Sequence, residues 1–231
     1  MKSVSSMALA FLCLTLLAQP GFAGPFTWTE VGEAGALPAT ANVTAGPPAR
    51  ALHRILGNLT DVFDVDMFQI LILDFLNFSA TTLGGGFDVD DPQLFLFDSG
   101  GRAVYSNDDA ESGLLGSQSQ LTAGHPLGPP AVGYYYLAIG WFDNEPLSAT
   151  GPMFQNGIGI NGPDFGGGGA DPIAGWNSDV IGRIDLPTSY GIKLTGAAPA
   201  LHFDFPEPST WLTLAAGLVG LLIARGRLDL L

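Results

Sequence analysis

The chain has 231 residues, and its 22 acidic against 8 basic side chains give a formal net charge of −14. A surface this acidic repels phosphate groups, which argues against nucleic acid and anionic lipid as partners and favours divalent cations and neutral polymers. With 32 glycines and 17 prolines, the composition is typical of short strands joined by turns.

The first 23 residues have the features of an export signal. Lys2 forms a basic start, Met7–Ala18 is an apolar stretch, and Gly21–Ala23 is a small-x-small cleavage motif, which predicts cleavage after Ala23. The only cysteine, Cys13, lies inside this segment. The exported protein would therefore contain neither a disulfide nor a cysteine metal site.

The next segment, residues 24–50, is predicted as an irregular lead-in with at most one edge strand, because small residues, glycine and proline dominate it. Residues 51–200 would form the folded domain. Its first strand is predicted at Leu52–Leu59. The strongest strand pattern is Asp64–Leu73, where apolar residues on both faces indicate a central strand that is covered on both sides.

Five further segments alternate in polarity or are rich in aromatic and β-branched residues, which predicts strands. They are Phe75–Thr82, Gln93–Phe97, Ala103–Tyr105, Gly133–Trp141 and Tyr190–Thr195. The turn residues at 98–101 predict a hairpin between the second and third of these. Residues 142–177 are rich in glycine and proline and are predicted as one long loop, which is usually functional or disordered.

Five short motifs follow one another between residues 55 and 139 of this domain. They are I-x-G-x-L at Ile55–Leu59, D-V-D-M-F-x-I at Asp64–Ile70, L-F-L-F-D-S-G-G at Leu94–Gly101, N-D-D at Asn107–Asp109 and G-Y-Y-Y-L-A-I at Gly133–Ile139. Their order resembles the bacterial pre-peptidase C-terminal (PPC) domain, which accompanies secreted peptidases. The resemblance implies an all-β fold, an antiparallel β-sandwich of jelly-roll type.

Acidic residues concentrate where the predicted strands begin and end. They form three groups, at Asp61 with Asp64 and Asp66, at Asn107–Asp109, and at Asp88 with Asp90 and Asp91. Calcium prefers six to eight hard oxygen ligands, which loops at strand ends supply. No group has the spacing of the EF-hand loop. The alternative is a solvated acidic rim with Asx turns.

The resemblance to PPC domains adds an expectation about the metal. Some relatives bind calcium through acidic residues of the N-terminal lead-in and of the first D-x-D strand. The matching positions here are Glu30, Glu33, Asp64 and Asp66. The candidate calcium ligands are therefore Glu30, Glu33, Asp64, Asp66, Asp108 and Asp109.

Aromatic residues near the loops suggest carbohydrate binding, since sugar rings stack on exposed aromatic faces. The candidates are Trp141, Phe142, Trp176, Tyr134 and Tyr136. The alternative is that alternate aromatic residues fill the core, as they mostly do in a sandwich.

Catalysis has little support in the sequence. Outside the export signal the histidines are His53, His125 and His202, and no G-x-S-x-G, H-E-x-x-H or S-x-x-K motif is present. We therefore expect a protein that is not an enzyme. A distant alternative is a hydrolase that uses a pair of carboxylates.

Residues 201–231 combine three unlike features in order. Pro206-Glu207-Pro208 excludes regular structure, residues 209–224 carry no charge, and Arg225 and Arg227 close the segment. A helix of about 16 residues rises roughly 24 Å, a little less than a bilayer core, and terminal arginines can extend its reach. The pattern predicts a transmembrane helix with its basic end in the cytoplasm.

This tail resembles the PEP-CTERM sorting signal of Gram-negative surface proteins. The resemblance implies cleavage near Pro206, Glu207 and Pro208 by an exosortase, transient anchoring in the inner membrane, and association with exopolysaccharide. The alternatives are an ordinary C-terminal membrane anchor and a buried core helix. The sequence thus predicts a sandwich between an N-terminal signal helix and a C-terminal membrane helix, exported to the cell surface or extracellular matrix.

Overall fold

The computed structural model describes residues 24–47, 50–84, 91–110, 117–154, 165–168, 171–177 and 187–202. All of them belong to one unit, Gly24–Phe205. The predicted cleavage at Ala23, the tail residues Pro206, Glu207, Pro208, Arg225 and Arg227, and the membrane helix predicted at 209–224 lie outside the described residues. Among the residues described, no helix is long and apolar enough to cross a membrane.

The regular structure of the described residues consists of β-strands, so the all-β prediction is confirmed. In chain order the strands are β1 (Phe26–Thr29), β2 (Asn42–Val43), β3 (Ala45–Gly46), β4 (Leu52–Leu59), β5 (Val65–Ile72), β6 (Ser79–Thr81), β7 (Pro92–Asp98), β8 (Ala103–Asn107), β9 (Gln120–Leu121), β10 (Gly133–Trp141), β11 (Pro146–Ser148), β12 (Gly151–Pro152), β13 (Phe165–Gly166), β14 (Ile173–Trp176), β15 (Thr188–Thr195), β16 (Ala197–Pro199) and β17 (Leu201–His202).

Two large sheets contain most of these strands. One has the order β1-β4-β15-β6-β9, and the other has the order β13-β8-β7-β10-β5-β16 with β2 added beside β5. Most neighbours are antiparallel, whereas β1 is parallel to β4 and β2 is parallel to β5. Two small sheets, β12-β11-β14 and β17-β3, complete the described fold.

An apolar core is shared by the two large sheets. Alternate residues of β5 point into it, with Phe68, Ile70 and Ile72 fully buried, and the first sheet contributes Ile55 and Ile192. Because successive side chains of a strand point to opposite faces, the intervening residues of β5 must be covered separately.

A second core covers the other face of the larger sheet. Met67 of β5 and Phe95 of β7 pack there with Met153, Phe154 and Ile173. These last three come from the segment that we predicted as one long loop over residues 142–177. That prediction is wrong, since the segment contains β11, β12, β13 and β14, whose two to four residues each are too short to give a periodic pattern.

The longer strand predictions are confirmed. Leu52–Leu59 and Gly133–Trp141 match β4 and β10 end to end, and β5 is buried on both faces, as its sequence indicates. The strand predicted at Phe75–Thr82 is wrong over its first half. There Asp74 accepts hydrogen bonds from the backbone and side chain of Asn77, at 3.2 and 2.8 Å, which closes a turn and leaves only β6 extended.

The predicted irregular segments also contain more structure than expected. The lead-in at residues 24–50 has the three short strands β1, β2 and β3 where we predicted at most one. The stretch after Thr195, where we predicted no further strand, continues into β16 and β17. The lead-in pairing matters for the candidate site described below, because β1 sets the position of Glu30.

Candidate metal centre

The acidic residues gather at one end of the larger sheet. Strand register places Asp66 of β5, Ile139 of β10, Leu94 of β7 and Asn107 of β8 in one row. With a spacing of about 4.8 Å between strands, the two ends of this row are about 14 Å apart. The sheet thus holds two separate acidic groups at the same end, one beside β5 and one beside β8.

The first group consists of Glu30, Glu33 and Asp66, whose carboxylate oxygens lie within 4.8 Å of one another. Glu30 directly follows β1, and its N–H donates to the Leu56 carbonyl at 2.8 Å. Its side chain is held as well: Oε1 accepts from Ala34 N at 2.8 Å and Oε2 from Asn58 N at 3.0 Å. The pairing of β1 with β4 therefore sets where this carboxylate lies.

Asp66 is the buried member of the group. It lies on the face of β5 that also bears Phe68, and none of its surface is exposed. Its Oδ2 accepts a 2.6 Å hydrogen bond from the Tyr190 hydroxyl, whereas its Oδ1 is buried without a hydrogen-bond partner among the described residues. A buried carboxylate oxygen in this position calls for either a proton or a cation.

Burial raises the pKa of Asp66 to about 9, and the negative charges of Glu30, Asp64 and Glu33 add to the rise, while the hydrogen bond from Tyr190 opposes it. Burial also raises the pKa of Glu33, followed by the charges of Asp64 and Glu30. Without a cation, the Asp66 carboxyl group holds a proton in the folded protein at neutral pH that it would release in water.

The backbone at Gly57 makes room for this group. A Cβ at Gly57 would lie 2.6 Å from Glu30 Oε2 and closer still to the Tyr190 hydroxyl. The side chains of Glu30 and Tyr190 therefore pack directly against the β4 backbone at Gly57. Any side chain at position 57 would fill the space in which they reach Asp66.

Asp64 lies beside the first group. Its Oδ2 accepts hydrogen bonds from Thr60 N at 2.6 Å and from Thr60 Oγ1 at 3.0 Å. It also hydrogen bonds to the side chain of Glu33, which contributes to the raised pKa of that residue. Of the four positions that the PPC resemblance implies, the structure brings Glu30, Glu33 and Asp66 together and places Asp64 next to Glu33.

Asp108 and Asp109 do not join the first group. They form a second one with Asp91, again with carboxylate oxygens within 4.8 Å of one another. The β7–β8 hairpin brings Asp91, just before β7, next to the end of β8, and burial followed by the charge of Asp91 raises the pKa of Asp109. Two of the residues that we grouped with Asp91, Asp88 and Asp90, lie outside the described residues.

A third buried carboxylate lies on the opposite face of the larger sheet. Glu145 Oε1 accepts a 2.7 Å hydrogen bond from Gln93 Nε2, and the Glu145 N–H donates to Asn177 Oδ1 at 2.5 Å. The Asn177 N–H returns to the Glu145 carbonyl at 2.9 Å. Burial raises the pKa of Glu145 to about 7, with a smaller rise from Asp143, and the bond from Gln93 opposes it.

Sequence reasoning missed the residues that complete these sites. Tyr190 and Gly57 read as ordinary strand residues, and Glu145 lay in the supposed loop. Two aromatic candidates for sugar stacking prove unsuitable: Trp141 is buried in the core between the large sheets, and Trp176 packs in the second core with its Nε1 donating to the Ala36 carbonyl at 2.8 Å. Tyr134, by contrast, is half exposed.

Comparisons with known proteins add no assignment to this geometry. No protein-family model matches the chain, and no curated protein matches it.

Proposed function

We propose that the protein is a non-enzymatic component of the cell surface or extracellular matrix of a Gram-negative bacterium. The observation that carries the proposal is the order of its segments: an export signal, an acidic all-β domain, and a tail with Pro206-Glu207-Pro208, an apolar stretch and two arginines. An exosortase would cut the tail, and extracellular polysaccharide would be the surrounding material.

The domain in this proposal is an antiparallel β-sandwich of jelly-roll type. Two large sheets that share one core support it, as does the mostly antiparallel pairing. The two acidic groups among the described residues consist of hard oxygen donors, which supports ion binding.

Cell fractionation tests the proposal. The protein should be found in the envelope and matrix fractions, and the mass of its C-terminal peptide should show cleavage near Pro206–Pro208. Deleting residues 206–231 should release the protein from the membrane fraction. A protein recovered only from the cytoplasm, with both ends intact, would refute the proposal.

A second candidate function is a calcium-stabilised binding module. It is favoured by the buried Oδ1 of Asp66, which has no hydrogen-bond partner within the described part of the chain and lies with Glu30 and Glu33 in one group of hard oxygen donors. Calcium would replace the proton that Asp66 otherwise holds at neutral pH, and it would join β5 to the lead-in segment.

Thermal unfolding with and without the metal tests this second function. A ligand that binds only the folded state must raise the melting temperature. Millimolar calcium should do so at neutral pH, and a chelator should reverse the rise. Equal melting temperatures in calcium and in chelator would exclude the module.

A further inference from the structure

A mainly apolar strip, exposed toward its far end, lies on the outer face of the larger sheet, at the end opposite the acidic groups. Strand register pairs Tyr134 with Leu71 and Tyr136 with Gln69 across β10 and β5. Leu73 and Val132 follow at the ends of these two strands. We call these six residues the tyrosine strip.

The strip continues a row whose other half is buried. The next pair along the same face, Met67 with Ala138, is fully covered by the second core. Beyond it the cover thins: Gln69, Leu71 and Tyr136 are half-buried, and Tyr136 still packs against the second core. At the far end Tyr134 is 48% exposed, Leu73 59% and Val132 60%. Exposed apolar side chains that adjoin one another in this way commonly mark a binding surface.

A cavity of about 350 Å³ adjoins the strip at Leu73. Ala197 and Ala198 of β16 form its apolar wall, and Arg50 and Asp74 line it as well. The strip and the cavity together offer flat aromatic and aliphatic surface beside a guanidinium, a carboxylate and the amide of Gln69.

We propose that the tyrosine strip and this cavity bind an uncharged polysaccharide chain. The C–H faces of sugar rings pack on aromatic rings, whose faces carry partial negative charge. Planar groups such as those of Arg50, Asp74 and Gln69 hydrogen bond to sugar hydroxyls. Gln69 Nε2 already donates to the Tyr136 hydroxyl at 3.3 Å, which holds that ring in place.

The charge of the protein selects among polysaccharides. The six side chains of the strip are all uncharged, and the chain as a whole carries a net charge of −14. A polymer of uronate or sulfated sugars would be repelled, whereas a neutral polymer would not.

The size of the strip favours a narrow ligand over a protein. Its three residue pairs span about 14 Å, since paired positions on one face are two residues, or about 7 Å, apart. A stable protein interface uses roughly 20–30 residues on each side. Six side chains beside one cavity suit a few units of a linear glycan. This inference rests on the proposed matrix function and names the material that the protein binds there.

Affinity electrophoresis with the full-length protein in mild detergent tests the inference. Native gels would contain hydroxyethylcellulose, laminarin or xylan as neutral probes, or alginate as a uronate probe. We expect retardation in at least one neutral gel and none in alginate. Tyr134→Ala should weaken the binding about tenfold, because it removes the most exposed ring, while Tyr134→Phe should retain it.

Phe63→Ala is the matched control. Phe63 is 49% exposed, much like Tyr134, but it lies before β5 at the acidic end of the sheet. It should bind like the unchanged protein. No retardation in any neutral gel, retardation in alginate, or equal binding by Tyr134→Ala would overturn the inference.

Light scattering tests the remaining alternative, in which the tyrosine strip is a dimer interface. If Tyr134→Ala instead converts a dimer to a monomer and leaves glycan binding unchanged, the strip is a protein interface and the inference is wrong. Failure here is distinct from failure of the proposed function. A matrix protein that binds none of the neutral probes refutes only the glycan site, whereas a cytoplasmic protein refutes the proposed function.

Discussion

The larger sheet buries a carboxylate on each of its two faces, and the two environments differ. On the inner face Asp66 has a phenol hydroxyl as its hydrogen-bond donor and lies with Glu30 and Glu33. On the outer face the Glu145 carboxylate accepts a hydrogen bond from the Gln93 amide, the Glu145 N–H donates to Asn177, and Asp143 is the nearby negative charge. Both carboxyl groups have raised pKa values, for the same first reason, which is burial.

The difference shows what each region is suited to do. The Gln93 amide donates to the Glu145 carboxylate, and Asn177 pairs with the Glu145 backbone. These bonds tie two segments together without any added ion, so the Glu145 region is suited to anchoring the β11–β14 layer. Carboxylates that face one another without enough donors are suited to a cation, which removes their repulsion. The comparison therefore predicts that calcium changes the Asp66 region and leaves the Glu145 region unchanged.

Asp66→Asn should have the largest effect. The pKa of Asp66 is raised in the folded state, so folding favours its neutral form. The stabilisation that this gives is complete below about pH 4 and is lost as pH rises toward 9. At ~1.4 kcal/mol per pKa unit, the free energy of unfolding in chelator should fall by on the order of 4 kcal/mol between pH 5 and pH 8, and Asp66→Asn should remove most of this fall. Urea titrations at the two pH values measure it.

Calcium provides the second half of that test. It should restore the stability of the unchanged protein at pH 8 and have no effect on Asp66→Asn. Asp171→Asn is the control for the loss of one charge, because Asp171 is exposed and remote in sequence from the acidic groups. The same pH dependence in Asp66→Asn as in the unchanged protein would contradict the assigned role of Asp66.

Glu145→Gln should have the next largest effect and should not depend on calcium. The pKa of Glu145 is raised to about 7, so folding favours its neutral form. The stabilisation that this gives is complete below about pH 4.5 and is lost as pH rises through 7. Glutamine keeps an oxygen for the Gln93 amide and cannot ionise. At pH 8 the variant should be more stable than the unchanged protein by on the order of 2–3 kcal/mol.

Urea unfolding in chelator and in calcium would measure this difference, which should shrink as pH falls to 5. A stabilisation of Glu145→Gln that appears only with calcium would break the comparison, because it would show that both buried carboxylates belong to one ion-dependent network.

The sequence allowed the acidic region to be predicted better than the amide region. The D-x-D motif on a strand with two apolar faces located Asp66, and the PPC resemblance linked it to Glu30 and Glu33. Tyr190 could not be found this way. It is 124 residues from Asp66, and only the packing of the two sheets brings its hydroxyl to the carboxylate.

The amide region was missed for a different reason. Strands of two to four residues, separated by glycine and proline, show no periodic pattern. These short strands are held in place by the apolar outer face of β5 and β7, where Met67 and Phe95 lie. Any segment that covered this face would bury those two side chains and stabilise the fold. The sequence does contain that signal, since β5 is apolar on both faces, but it does not say which segment provides the cover.

Gly57→Ala should have an intermediate effect confined to the acidic region. The added methyl group would overlap Glu30 Oε2 and the Tyr190 hydroxyl, and such overpacking typically costs 1–3 kcal/mol, so we expect about 2 kcal/mol. It should also weaken any calcium effect, because Glu30 must move. The control is Gly175→Ala in β14, where a Cβ meets nothing within 4 Å. Thermal unfolding of both variants measures their loss of stability. Equal losses for Gly57→Ala and Gly175→Ala would contradict the prediction.

Tyr190→Phe should have the smallest effect, and the size of its cost should depend on calcium. The change removes the donor to Asp66 Oδ2 and keeps the ring, which packs edge-to-face on Phe68. Without calcium the loss of this buried hydrogen bond should cost about 1 kcal/mol. With calcium the ion would take over the freed oxygen, so the cost should become smaller, and the calcium-induced rise in melting temperature should be larger than in the unchanged protein. If the cost instead grows when calcium is added, the hydroxyl orients Asp66 for the ion and does not compete with it.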